Sequence, residues 1–330
     1  MVNSVVGAHQ PTDEPEVSVV VPLFNEAENL AELHHRISVA LTANGTSFEL
    51  LLVNDGSRDA TSDILDDLAS CDARVTCVHL SRNFGHQAAV TAGLDHALGR
   101  AVIVMDGDLQ DPPEVVGQFL DVWRQGHDVV YAIRTKRKEG LVKRAAYALF
   151  YRLLRATSDL DIPLDSGDFC LMDRKVVDAL RQLPERQRFI RGLRTFVGFR
   201  QTGLCYERDA RHAGKPKYTF KALSRLAIDG LVSFSAFPLS LVTYFGLFSL
   251  FLALGLTAWV LADALFRSTA PRGWASIMVV MLYLGAVQLL SLGIVAEYVR
   301  RIFLESKQRP TYLVTRVTRA DAAAHLKRSA

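Results

Sequence analysis

Val102-Ile103-Val104-Met105-Asp106-Gly107-Asp108-Leu109-Gln110-Asp111-Pro112-Pro113-Glu114 is the stretch whose reading decides the fold. Its first four residues are apolar without alternation, which marks a strand buried on both faces. Two carboxylates, Asp106 and Asp108, stand where that strand ends, and Gln110 and Asp111 follow. Pro112 and Pro113 stop the strand, and Glu114 opens a helical pattern. Oxygen ligands at the carboxyl end of a buried strand suit a hard divalent cation that also holds phosphate oxygens. Gly107 lets the backbone pass close to a ligand. The plainer alternative is an acidic turn after a strand, and this stretch alone leaves both open.

The same design recurs upstream. Residues 17–21 read as an apolar strand, followed by Pro22-Leu23-Phe24-Asn25-Glu26 and a helix to about residue 43 that Asn25 is placed to cap. Residues 48–53 read as a second strand, ending in Asn54-Asp55-Gly56-Ser57-Arg58-Asp59. This is a turn signal, with Asp59 or Ser57 available to cap a helix over 61–69. A third strand spans 75–80, and Ser81-Arg82-Asn83-Phe84-Gly85-His86-Gln87 leads into a helix over 88–98. Strands that alternate with helices and carry no polar face predict an α/β fold with a mostly parallel sheet. Neither G-x-G-x-x-G nor G-x-x-x-x-G-K-S/T occurs, so the usual dinucleotide and P-loop readings fail. Ligands of open parallel sheets lie outside the carboxyl ends of the strands. Glu26, Asp55, Asp106 and Asp108 would converge there. That edge fits a sugar nucleotide: carboxylates for base and ribose hydroxyls, a cation for the diphosphate.

Composition narrows the class. A chain of 330 residues holds one large domain or two smaller ones, and a net charge of +3 gives no argument for nucleic acid. Cys71, Cys77, Cys170 and Cys205 have neither paired nor zinc-type spacing and read as free thiols. Residues 1–16 are polar, without an apolar core, and read as a disordered leader.

Val21-Pro22-Leu23-Phe24-Asn25-Glu26, Val53-Asn54-Asp55-Gly56-Ser57-Arg58-Asp59 and Asp106-Gly107-Asp108-Leu109-Gln110-Asp111-Pro112-Pro113-Glu114 occur in that order. Together they resemble the inverting glycosyltransferases of family two, which have a GT-A fold. The last motif is similar to the dolichyl-phosphate-mannose synthase branch, which includes the bacterial GtrB-like polyprenyl-phosphate glucosyltransferases. The resemblance runs from about residue 17 to residue 314. It implies Mg2+ or Mn2+ on Asp108 and Gln110, aided by Asp106. It implies a donor nucleotide held by Pro22, Phe24, Glu26, Asp55, Gly107, Arg211 and Lys217. Arg134 matches a position that contacts phosphate near the reacting centre. Lys143 and Arg144 either help hold the acceptor phosphate or form a solvated basic face. Asp168 stands where other family-two enzymes keep a general base; an N-cap or structural carboxylate is the alternative. Cys170 replaces an Arg, and Pro216 a Ser, that relatives usually carry. Arg188-Phe189-Ile190-Arg191-Gly192-Leu193 matches the branch as well.

The last third is apolar. Residues 220–235 have helical apolar spacing with Lys221 and Arg225 opposite, which suits a helix on the membrane surface. Long uncharged runs then predict two transmembrane helices, roughly 237–261 and 275–296. Lys and Arg are dense before the first and after the second, which places both termini and the catalytic domain in the cytoplasm of a bacterium. The expected organisation is a leader (1–16), a catalytic domain (17–219), an interfacial helix (220–236), a membrane region (237–296) and a C-terminal segment (297–330). Residues 315–330 read as a loose basic tail.

These readings lead to one expectation. A hexose, with UDP-glucose as the donor, is transferred with inversion to a polyprenyl phosphate of undecaprenyl, decaprenyl or dolichyl type. A phosphate monoester is already anionic, so no general base is required. GDP-mannose or another UDP-sugar is the alternative donor. A membrane-anchored sugar-nucleotide-binding protein without turnover is the alternative of another class. A homo-oligomer is expected.

Overall fold

A computed structural model describes residues 14–134, 166–186, 188–207, 237–267 and 273–319. The chain divides into two units. One holds residues 1–141, 162–217 and 310–330; the other holds 142–161 and 218–309.

The first unit is built on an eight-stranded sheet. In chain order its strands are β1 (Val17–Leu23), β2 (Phe48–Asn54), β3 (Val75–Leu80), β4 (Ala101–Val104), β5 (Val129–Arg134), β6 (Ser166–Asp173), β7 (Gln201–Tyr206) and β8 (Val314–Arg319). Across the sheet the order is β7-β5-β6-β4-β1-β2-β3-β8. The central run β4-β1-β2-β3 is parallel, with Val17 opposite both Phe48 and Ala101. Every residue of β1, β2, β3 and β4 is buried, as their unbroken apolar character predicts. β6 runs antiparallel between β4 and β5, and β8 runs antiparallel on the β3 edge. The mostly parallel α/β fold is therefore as expected.

Helices cover both faces. α1 (Leu30–Ala43), α2 (Thr61–Cys71) and α4 (Val116–Arg124) place Leu33, Leu65 and Phe119 in one core with Val19, Leu50 and Ile103. α3 (His86–His96) packs on β1 and β2 from the other side. α5 (Arg174–Gln182) and α6 (Ile190–Phe196) follow β6. Two helix starts differ from the sequence reading. Asn25 does not cap α1: the cap position is Asn29, and Asn25 sits at φ 53° with its Oδ1 accepting the Arg58 amide at 2.9 Å. α3 begins at His86, two residues early, because Gly85 at φ 99° turns the chain directly into the helix.

The C-terminal segment is not wholly a loose tail. Residues 314–319 form β8, and their partners lie far away in sequence. The Ser81 amide donates to the Leu313 carbonyl at 2.8 Å, and Tyr312 Oη donates to Asp95 at 2.8 Å. Thr315 Oγ1 donates to the His79 carbonyl at 2.9 Å. Asp66 of α2 holds both Arg316 and Thr318, the latter at 2.8 Å. The four β-branched residues of Val-Thr-Arg-Val-Thr-Arg are the strand signal, masked in the sequence by its charge.

The second unit holds α7 (Phe237–Arg267) and α8 (Trp274–Ser306). Both are long and apolar enough to cross a membrane, and Phe248, Phe251, Met281, Leu282 and Leu289 are exposed on them. At about 1.5 Å rise per residue each exceeds a hydrocarbon core about 30 Å thick. The expected interfacial helix, residues 220–236, lies outside the described residues.

Two outcomes are expected. Asp66→Ala removes about 1 kcal/mol of local stability; hydrogen–deuterium exchange should then rise at residues 314–319 while β1 and β2 stay protected. All four cysteines are free: Cys71 and Cys205 are exposed, Cys77 and Cys170 buried. Burial pushes the Cys77 thiol up to about 12. Alkylation of native protein at pH 8 should therefore mark Cys71 and Cys205, with Cys77 and Cys170 reacting only after denaturation.

Candidate active site

The site grows from the ends of the parallel strands. β4 stops at Val104, and the Met105 amide donates to the Val20 carbonyl at 3.1 Å, carrying the chain one residue further beside β1. From there exposure alternates. Gly107, Leu109 and Asp111 are buried, while Asp106, Asp108 and Gln110 are half-buried. Leu109 takes φ 57° to make this turn, a conformation an L-residue adopts only when its surroundings fix it. Asp108 Oδ1 accepts the Gln110 amide at 3.2 Å. Asp111 is fully buried and accepts the Tyr206 hydroxyl of β7, so it belongs to the scaffold. A Cβ on Gly107 would meet Leu23 Cδ2 at 2.5 Å, so the close approach it permits in this structure is to β1.

The β2 and β3 tips are locked together. Asp55 is buried, and its two oxygens accept the Phe84 amide at 2.7 Å and the Gly85 amide at 3.0 Å. Burial pushes its carboxyl up despite these bonds. Gly56 sits at φ +65°, where a Cβ would lie 2.4 Å from the Arg82 carbonyl carbon. Asp55 thus ties the loop that starts α3. Pro22 is buried within β1, opposite Val53. Phe24 lines a cavity of about 400 Å³ with Asn54, Arg58, Arg82 and, from β8, Thr315 and Arg316. Glu26 Oε2 accepts the Asn29 side-chain amide at 2.7 Å, and its backbone amide donates to Thr61 Oγ1 at 3.0 Å.

Two residues not singled out in the sequence stand at the centre. His86 Nε2 lies 3.8 Å from Asp106 Oδ1 and 3.5 Å from Asp168 Oδ2. Arg191 Nη2 donates to the other Asp168 oxygen at 3.2 Å. Burial works against a charged His86, yet Asp168 and Asp106 outweigh it and its pKa is raised to about 9. Burial pushes Asp106 up to about 6, against the pull of His86 and with Asp111, Asp168 and Asp108 adding to the rise. Asp168 goes the other way: burial is overcome by Arg191 and His86, and its carboxyl is held well below the usual range. Arg191 lies in the segment that resembles the family branch, and His86 in the lead-in to α3. Their strand-tip and helix-start positions were the available signal.

Of the remaining expected residues, Arg134 ends β5 opposite Tyr206. Lys143, Arg144, Arg211 and Lys217 lie outside the described residues. Among the described residues, no three His, Cys, Asp or Glu side chains are gathered as a metal cage. The set formed by Asp106, Asp108 and Gln110 instead fits a hard cation that takes one or two carboxylates and completes its shell with phosphate oxygens and water. Burial first, and then the neighbouring Asp111, Asp168 and Asp108 charges, raise the Asp106 pKa, and a divalent cation would offset both.

Comparison with known proteins agrees with this geometry. The Glycosyl transferase family 2 profile matches residues 18–181. An uncharacterized glycosyltransferase of Bacillus subtilis, YkcC, is 44% identical over 300 residues, covering 91% of this chain and 93% of its own. The bactoprenol glucosyl transferase of Shigella phage SfV is 40% identical over 300 residues, covering 91% and 98%. A prophage bactoprenol glucosyl transferase homolog of Escherichia coli K12 is 39% identical over 303 residues, covering 92% and 99%. With its strand-tip carboxylates on a mostly parallel sheet and relatives of this identity over nearly their whole length, the chain belongs to glycosyltransferase family two.

Proposed function

We propose that this enzyme transfers glucose from UDP-glucose to a polyprenyl phosphate, with inversion at the anomeric carbon. The observation that carries the reading is the turn after β4, which buries Gly107, Leu109 and Asp111 and leaves Asp106, Asp108 and Gln110 at the sheet edge. The relatives named as bactoprenol glucosyl transferases support the acceptor and the sugar.

Asp108 and Gln110, with Asp106 beside them, would hold Mg2+ or Mn2+. The ion, when bound, supplies charge stabilisation for the departing nucleoside diphosphate. Phe24 offers an aromatic face to the base, and Glu26 a carboxylate to base or ribose. Pro22, Gly107 and Asp55 shape the floor beneath them. Arg211 and Lys217 add positive charge over the donor diphosphate. Arg134, with Lys143 or Arg144, orients the acceptor phosphate. That phosphate is anionic at neutral pH and attacks directly, so the work of the site is alignment and leaving-group stabilisation rather than proton removal. An α-linked donor then gives a β-linked lipid phosphate sugar. α7 and α8 hold the enzyme in the bilayer where its lipid substrate resides, with both termini in the cytoplasm. Self-association into a homo-oligomer is part of this reading.

Purified protein given UDP-glucose, undecaprenyl phosphate and Mg2+ should release UDP in step with a glucosylated lipid. Chelation should abolish release, and Mn2+ should restore it. Asp108→Ala should lower turnover about 10²-fold or more, as loss of a leaving-group stabiliser does. Unchanged release in that variant overturns the metal role. Transfer from GDP-mannose but not UDP-glucose overturns the donor, and nucleotide binding without lipid product overturns the enzyme reading.

A further inference from the structure

The end of the β4–β6 pairing holds a conflict that one side chain resolves. These strands are antiparallel, with Val102 opposite Met172, Ile103 opposite Leu171 and Val104 opposite Cys170, where the pairing stops. Asp106 and Asp168 lie two residues beyond that last pair, on the same end of the two strands. Like charges brought together there repel. His86 lies against both carboxylates, at 3.8 Å and 3.5 Å, with its Nε2 buried. At these distances the imidazole is committed to neither by a short hydrogen bond. It stands between them, within reach of both.

The surroundings fix His86 in that place. Asp55 holds the Phe84 and Gly85 amides just before it. Gln87 Oε1, just after it, accepts the Ile190 amide of α6 at 2.9 Å. Arg191, next in α6, holds the far oxygen of Asp168. The start of α3 is thus pinned from the β2 tip on one side and from α6 on the other.

We propose that His86 is a positioning residue that separates Asp106 from Asp168, and that Asp168 is its anchor rather than a general base. Asp106 stays beside Asp108 with its carboxylate aimed at the donor diphosphate because His86 shields it from Asp168. The proposal rests on the donor-site reading given above. Displacing a group at the reacting centre by about 1 Å costs about 10²-fold in rate, so the effect belongs mainly in kcat.

The test is a charge-suppression series: His86→Gln, His86→Lys, Asp168→Asn and the double variant His86→Gln/Asp168→Asn, each assayed for turnover and for thermal unfolding. Gln keeps the bulk without the charge, whereas Lys keeps the charge. His86→Gln should lower kcat about tenfold or more while the UDP-glucose KM moves less than about threefold. His86→Lys should recover much of the loss. Removing the opposing charge should do so too, so the double variant should turn over faster and melt higher than His86→Gln. If His86→Gln keeps wild-type kcat, or if the double variant is no better than His86→Gln in both rate and melting, the proposal is overturned. A dead Asp168→Asn with a dead double variant that melts no higher would instead restore Asp168 as a base. If wild type makes no glucosyl lipid, the reaction reading fails, and the melting series alone decides on the bridge: recovery in the double variant upholds it, and none removes it.

Discussion

Four carboxylates, Asp106, Asp108, Asp111 and Asp168, meet at one edge of the sheet, and the local structure is arranged around keeping that charge in place. A parallel sheet buried on both faces leaves its polar chemistry to the strand ends. Three devices separate the charges here. Asp111 is turned inward onto the Tyr206 hydroxyl. Asp168 is bound by Arg191. Asp106 and Asp108 remain at the open edge, with His86 between Asp106 and Asp168. Burial raises the Asp106 pKa, whereas at Asp168 Arg191 and His86 together overcome burial and lower it.

This division bears on mechanism. A glycosyltransferase acting on a hydroxyl needs a base with a usable affinity for protons. At Asp168 burial is overcome by Arg191 and His86, which hold its carboxyl below the usual range and so make it a weaker base. A phosphate acceptor removes the need, because it arrives ionised.

The strand-tip edge is also knit together by contacts remote in sequence. β8 arrives after both apolar helices and places Thr315 and Arg316 in the wall of the cavity beside Phe24. Asp66 reaches across from α2 to hold that strand. The last strand of the sheet thus follows both apolar helices in the chain, so the sheet is completed only after they have been synthesised.

The sequence by itself determined the α/β class, the parallel core strands, the two long apolar helices and the strand-tip acids. Each is a local pattern: unbroken apolar runs, turn residues, and carboxylates just beyond a strand. Asp106, Asp108 and Gln110 were legible for the same reason, since one turn presents them together. Only the tertiary structure decided which acids face outward and which are consumed. Asp55 carries a strand-tip signal, yet both its oxygens serve the Phe84 and Gly85 amides, about thirty residues away. In the sequence His86 is a helix-start residue, and it stands between two carboxylates only because the fold brings Asp106 and Asp168 to its side. β8 was read as tail because its stabilising partners, Asp66, His79 and Asp95, lie more than two hundred residues upstream. Burial, register and long-range pairing are properties of the folded neighbourhood, and no window of sequence contains them.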